Sequence, residues 1–251
     1  MNISSNTLFH FTKKRDNILS ILENGFYPRL CLEENYLYAA NYEYWAIPMV
    51  CFCDIPLGNI QRHMKTYGKY ALGLSKDWAK RKGITPVLYS NDESLALDSL
   101  REQLYRCGIN SSENAYNNDG ILNALMYFSC YVKQYDGQVT INKKTRTVRF
   151  YDEREWRYVP SSIKKDENSC YILSKGEFEN ETLKQDINNL LKKLSLHFSI
   201  NDINYVIVES EKDVLEMKRS IERIKSGKYS KIEIEILTTK ILSADRITED
   251  F

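Results

Sequence analysis

Short apolar runs alternate with stretches of helical periodicity along most of the 251-residue chain, and this alternation limits the fold more than any other feature. Leu8-Phe9-His10-Phe11 reads as a strand, and residues 16–23 read as a helix that Asn24-Gly25 stops. The runs 48–53, 70–74, 86–89 and 205–209 read as further strands. Residues 75–82 read as a helix ended by Gly83. Leu183, Ile187, Leu190, Leu191 and Leu194 fall on one helical face, and Ser210 with Asp213 opens a helix bearing Val214, Leu215, Ile221 and Ile224. Leu95, Leu100, Leu104, Leu122, Leu125 and Met126 flank an Asn/Ser/Asp/Gly cluster, so about 93–134 reads as two helices joined by a polar loop. From Thr145 the period becomes two and continues through Tyr158, and Ile232, Ile234 and Ile236 alternate with charged residues as a closing strand. The pattern defines an α+β protein: a mixed, twisted sheet core with flanking helices and a helical insertion at about 93–134. Neither a repeat nor a linker divides it, so a single domain over 1–251 is expected.

Composition narrows the function. Thirty-five Lys and Arg against 34 Asp and Glu give a net charge of +1, with the charges interspersed, which argues against a dedicated DNA-wrapping protein or an acidic tail. Eighteen Tyr and nine Phe beside ten Gly and five Pro suit a packed globule, not a disordered chain. The start is polar and no apolar stretch approaches the roughly 18 residues that span a bilayer, so a cytoplasmic protein with neither signal peptide nor membrane helix is expected. The six cysteines are scattered, and Cys51-Phe-Cys53 directs its sulfurs to opposite strand faces, so all six are read as reduced thiols. A phosphate loop, a Cys-x-x-Cys pair, a His-Glu-x-x-His helix and a Gly-x-Ser-x-Gly elbow are all missing, and no metal site is expected.

Three places combine residues that carry chemistry. His10 and Thr12 project from one face of the first strand, where an imidazole and a hydroxyl hydrogen-bond a ribose or an amide; alternatively, His10 satisfies a buried carbonyl and Thr12 caps the next helix. In Tyr151-Asp-Glu-Arg-Glu-Trp-Arg-Tyr158 a strand places Glu153, Glu155 and Arg157 on one face and Trp156 and Tyr158 on the other. A carboxylate oriented by guanidinium groups suits stabilisation of an oxocarbenium-like cation, and a salt-bridged strand surface is the plainer reading. Arg62, His63 and Tyr67 stand just before the 70–74 run that Tyr70 opens, where tyrosines offer a stacking shelf or simply pack at the strand entry. His197, just past an amphipathic helix, reads as a solvent-facing group.

Several of these stretches together resemble a known family. Thr7-Leu-Phe-His-Phe-Thr12, Ile21-Leu-Glu-Asn-Gly-Phe-Tyr-Pro-Arg29, Val50-Cys-Phe-Cys-Asp-Ile-Pro-Leu57, His63 with Tyr67-Gly68, and Phe150-Tyr-Asp-Glu-Arg-Glu-Trp-Arg-Tyr-Val-Pro160 resemble the AbiGi family of abortive phage infection proteins, over roughly residues 7–160. That resemblance implies a bacterial phage-defence role, and the family name carries an antitoxin label.

A second resemblance is to ADP-ribosyltransferases of the DarT type, through His10-x-Thr12, Ile21-Leu22 with Gly25, and the late Glu155. It implies an ADP-ribosyltransferase-like fold and NAD as cofactor. It also implies that Glu155 is the catalytic carboxylate, that His10 and Thr12 hold the nicotinamide ribose or amide, and that Tyr67 or Tyr70 stacks on the ring. Arg29, Arg62 and Arg154 are the candidates for binding NAD phosphates. The acceptor is then nucleic acid or protein, with a cognate toxin or antitoxin as a further partner. The competing reading is a non-catalytic antitoxin or sensor that binds a toxin or phage component.

Overall fold

A computed structural model describes residues 4–37, 44–104, 106, 119–141, 144–160, 164–166 and 169–250. The chain forms two compact units, each assembled from separated segments: Met1–Pro28, Val50–Thr85 and Leu191–Phe251 make one, Arg29–Met49 and Pro86–Leu190 the other. No linker shows in the sequence because the units interleave their segments instead of following one another.

In the first unit, the strand Ile241–Ser243 runs parallel to Ile203–Val208. Ile203–Val208 pairs antiparallel with Tyr70–Ser75, and Tyr70–Ser75 pairs antiparallel with the opening strand Thr7–Thr12. Phe9 then meets Cys53 at the end of the strand Tyr44–Cys53. The sheet is therefore mixed, as the sequence implies. Alternation along Thr7–Thr12 sends Phe9 to a core with Ile60, Met64, Ala71, Ile207 and Ile247. His10 and Thr12 point to the opposite face, where the helix Arg15–Asn24 buries Ile18 and Leu22. That helix stops at Gly25, whose φ of 81° only glycine adopts without strain. Gly68 ends the helix Gln61–Tyr67 with φ 114°, and a Cβ there would lie 2.3 Å from the Thr12 carbonyl oxygen.

Residues 231–238 correct the expected closing strand. Lys231–Thr238 is a helix, because Ser230 and Glu233 form a reciprocal capping box and Ile234 and Leu237, three apart, are the buried pair. Ile232, 69% exposed, and Ile236 face away. The strand follows at Ile241–Ser243, and the helix Ala244–Asp250 comes after it.

In the second unit, residues 44–49 of the long strand pair antiparallel with Arg29–Glu34, Glu33 opposite Trp45, and with Leu173–Ser174. The expected insertion supplies the helices Leu95–Leu104 and Asp119–Ser129; most of the polar loop between them lies outside the described residues. A short strand Val132–Gln134 follows, parallel to Leu88–Ser90. Asp136–Ile141 and Lys144–Arg149 form an antiparallel hairpin. The period-two run is not one continuous strand. Phe150–Glu153 makes a 3-10 turn and Arg154 takes a left-handed conformation at φ 46° before Glu155–Tyr158 resumes as a strand.

Gly68→Ala should cost about 1–3 kcal/mol of stability, because left-handed backbone and a backbone clash coincide there. Gly176→Ala, with open space at its Cβ inside the helix Lys175–Glu179, should be neutral or stabilise by up to about 1 kcal/mol. Urea unfolding of the two variants beside the wild type measures both.

Candidate functional site

The charged motif of the second unit is folded inward. Along Glu155–Tyr158 the two charged side chains are the buried ones: Arg157 is 1% exposed and Glu155 8%. Arg157 grips Glu155 with two donors, Nε to Oε1 at 2.7 Å and Nη2 to Oε2 at 3.0 Å. It also donates to Glu33 Oε2 at 2.7 Å and to the Cys130 carbonyl at 2.8 Å. Lys133 donates to Glu153 at 2.7 Å and to Glu155 Oε2 at 3.2 Å, and its ammonium stands 5.2 Å from the centre of the Phe150 ring. Burial works against the Lys133 charge, but Glu155, Glu33 and Glu153 outweigh it and hold the ammonium above the usual lysine range.

Local structure explains the convergence. The helix Asp119–Ser129 ends at Cys130, which frees that carbonyl for Arg157. The parallel register pairs Tyr89 with Lys133, so both side chains reach the Glu155 side. The Glu155 N–H donates to the Tyr89 hydroxyl at 3.0 Å, and Val87 donates to the Glu155 carbonyl at 2.9 Å. Burial pushes the Tyr89 phenol upward. Tyr127 donates to the Val159 carbonyl at 3.0 Å and the Val159 N–H donates to Tyr131 at 3.3 Å, which fixes the far end of the strand. The expected grouping of Glu155 with Arg157 is present; the surface reading of the same stretch is overturned, and Glu153 joins from the turn, not from the strand. Glu33, Lys133, Tyr89 and the Cys130 carbonyl were missed, since nothing in the sequence links segments so far apart.

The first unit holds the other predicted residues. His10 Nδ1 lies 2.8 Å from the Cys51 carbonyl, with the ring set edge-on against Phe26 at 5.1 Å and Phe52 at 5.8 Å. Burial lowers the His10 pKa, partly offset by that carbonyl. Thr12 accepts from Asn17 Nδ2 at 2.7 Å. Tyr70 is Thr12's cross-strand partner and is buried, so it shares that face. Arg62, His63 and Tyr67 sit on the helix Gln61–Tyr67 just before the strand Tyr70–Ser75, so Tyr67 is a helix residue and not one packed at the strand entry. His63 is buried between Phe11 and Tyr67, with ring centres 6.3 and 5.9 Å away, on the face of the opening strand opposite His10 and Thr12. Arg62 is exposed, and Arg154 lies in the second unit. His197 is exposed and its Nε2 lies 2.7 Å from the Ser195 hydroxyl. Among the described residues no His/Cys/Asp/Glu group suited to a metal is found, and no helix is long and apolar enough to cross a membrane.

The chain is thus an α+β protein with a salt-locked charged motif, and comparison with known proteins gives its family. The family model described as "Putative abortive phage resistance protein AbiGi, antitoxin" matches residues 24–209. The abortive phage resistance protein AbiGi of Lactococcus lactis subsp. cremoris is 32% identical over 232 residues, covering 82% of this chain and 90% of the relative. The chain belongs to the AbiGi family of abortive phage resistance proteins. No solved structure matches it.

Arg157→Met should cost about 3–5 kcal/mol in urea unfolding, because it removes the buried guanidinium that Glu155, Glu33 and the Cys130 carbonyl share. Glu155→Gln, which keeps an acceptor for Arg157, should cost clearly less. The His10 shift has a definite sign. Below its ordinary pKa of 6.5 the unfolded chain takes up a proton that folded His10 resists, so stability is full above that pH and declines as pH falls below it. Urea midpoints between pH 7.5 and 5 should fall for the wild type and fall less steeply for His10→Gln.

Proposed function

We propose that this protein acts in phage defence as an antitoxin that neutralises a toxin by direct protein binding. The observation that carries this reading is the state of Glu155. A glutamate that promotes departure of nicotinamide has to present an oxygen to the ribose. Here the carboxylate is 8% exposed and is engaged by Arg157 and Lys133, as a fixed structural anion would be. The family's description as an antitoxin supports the same reading.

A second reading has its own observation. Glu155 follows Arg154, whose backbone is strained at φ 46°, and such strain concentrates at functional sites. On this reading the protein is an NAD-dependent mono-ADP-ribosyltransferase acting on nucleic acid or protein. Glu155 is its catalytic carboxylate, and His10, Thr12 and Tyr70, which share one strand face, are its NAD-binding residues, whereas Tyr67 and Arg62 belong to the helix beside the opposite face.

Co-expression with candidate toxins from the same cell separates the two. An antitoxin restores growth, and Glu155→Gln restores it equally. Purified protein given labelled NAD with RNA, DNA and cell protein should transfer no label. Label transfer that disappears in Glu155→Gln would replace the first reading with the second.

A further inference from the structure

One charged side chain of the motif stands outside the ion cluster. Lys133 holds Glu153 and Glu155, and Arg157 holds Glu155 and Glu33. Arg154, between the two glutamates, makes no side-chain hydrogen bond and no ion pair among the described residues. Its Nε is closed off from solvent and still lacks an acceptor, although the side chain as a whole is partly exposed. An enclosed N–H without an acceptor has lost its water and gained nothing in exchange.

The backbone sharpens the question of why an arginine is there. Arg154 closes the 3-10 turn Phe150–Glu153 in the left-handed conformation, its N–H donating to the Tyr151 carbonyl at 3.2 Å. Among the described residues it is the one non-glycine residue with positive φ. Gly or Asn takes that conformation at lower cost, and packing of a side-chain stem needs no charged head. No contact within the described residues accounts for a guanidinium at this position. Strain that serves no internal contact marks a group that acts on something outside the chain.

We propose that Arg154 is an open docking point for one carboxylate, an acidic side chain of a partner protein; on the antitoxin reading, on which this rests, that partner is the toxin. A guanidinium donates two parallel hydrogen bonds to a planar carboxylate, so one fork matches one such group. The phosphates of a nucleotide spread their charge over several oxygens and call for several cations. Lys133 and Arg157 are already engaged by Glu33, Glu153 and Glu155. Asp152, Glu153 and Glu155, beside Arg154 in the sequence, further disfavour a multiply charged anion. Arginine is also among the side chains that dominate the energetics of protein interfaces.

The test is a titration of the full chain followed through the Arg154 Nε–H signal in nitrogen–proton correlation spectra, assigned by its loss in Arg154→Met. The probes are a blocked glutamate peptide, acetate, pyrophosphate and chloride, at a constant ionic strength of about 0.1 M. Both carboxylates should shift the signal saturably, and chloride should leave it in place. Arg154→Met keeps the stem and loses only the fork, so its urea midpoint should match the wild type, in contrast to Arg157→Met. Co-expressed with a toxin that the wild type neutralises, Arg154→Met should fail to restore growth, and the purified variant should bind that toxin about 30-fold more weakly or worse. Four results would overturn the proposal: no shift with either carboxylate, tighter binding of pyrophosphate than of the carboxylates, a lowered urea midpoint in Arg154→Met, or neutralisation by Arg154→Met equal to the wild type. Saturable carboxylate binding by a protein that neutralises no candidate toxin would instead sink the antitoxin reading and leave the docking point standing.

Discussion

The architecture of the second unit turns on one guanidinium. Arg157 is almost wholly withdrawn from water, and its donors reach Glu155 on its own strand, Glu33 on the strand Arg29–Glu34, and the carbonyl that closes the helix Asp119–Ser129. Burying a charge is costly, and mutual attraction offsets that cost only where geometry is good and the remaining donors are also met. Both conditions hold here, through a bidentate carboxylate and two further acceptors. Lys133 extends the arrangement to Glu153 and the Phe150 ring, so turn, strand and helix end are fixed by one set of charges. A well-packed apolar cluster would give comparable stability with less directional control.

Much of the fold was legible because local signals agreed with one another. The opening strand, the helix ended at Gly25, the run at 70–74 and the helix opened by Ser210 each carry both a periodicity and a terminator. Reading failed where two signals competed. Ile232, Ile234 and Ile236 fit period two, but the capping box at Ser230 and Glu233 and the burial of Leu237 made the segment a helix. The alternation from Thr145 to Tyr158 concealed the turn at Phe150–Glu153, which has no Gly or Pro to mark it and rests on a left-handed Arg154.

The site was legible in part. That Glu155 and Arg157 share a strand face follows from the pleat alone, and the structure has them hydrogen-bonded. Their burial did not follow, because a run of charges normally faces water and only distant partners reverse that. Glu33 and Lys133 lie 124 and 20 residues from the carboxyl-terminal partners they serve, a pairing that one sequence does not encode locally. In the first unit, alternation correctly set His10 and Thr12 on one face. It gave no hint that Tyr67 belongs to a helix beside His63, on the other side of the same strand.

The interleaved segments set the order in which the nascent chain can mature. Residues 29–190 contain every segment of the second unit, so that unit can close before residues 191–251 are synthesised. The first unit must wait. Its helix Arg15–Asn24 leaves the ribosome early, yet the helix that contacts it, Glu211–Lys225, joins through Arg15 with Glu216 and the Leu22 carbonyl with Lys225, emerging about 200 residues later. Two strands of its sheet, Ile203–Val208 and Ile241–Ser243, arrive equally late. Until then the edge of Tyr70–Ser75 that will receive Ile203–Val208 stays unpaired, the condition under which nascent chains associate wrongly or recruit chaperones. Premature termination beyond residue 190 would therefore release chains with a finished second unit and an open first one.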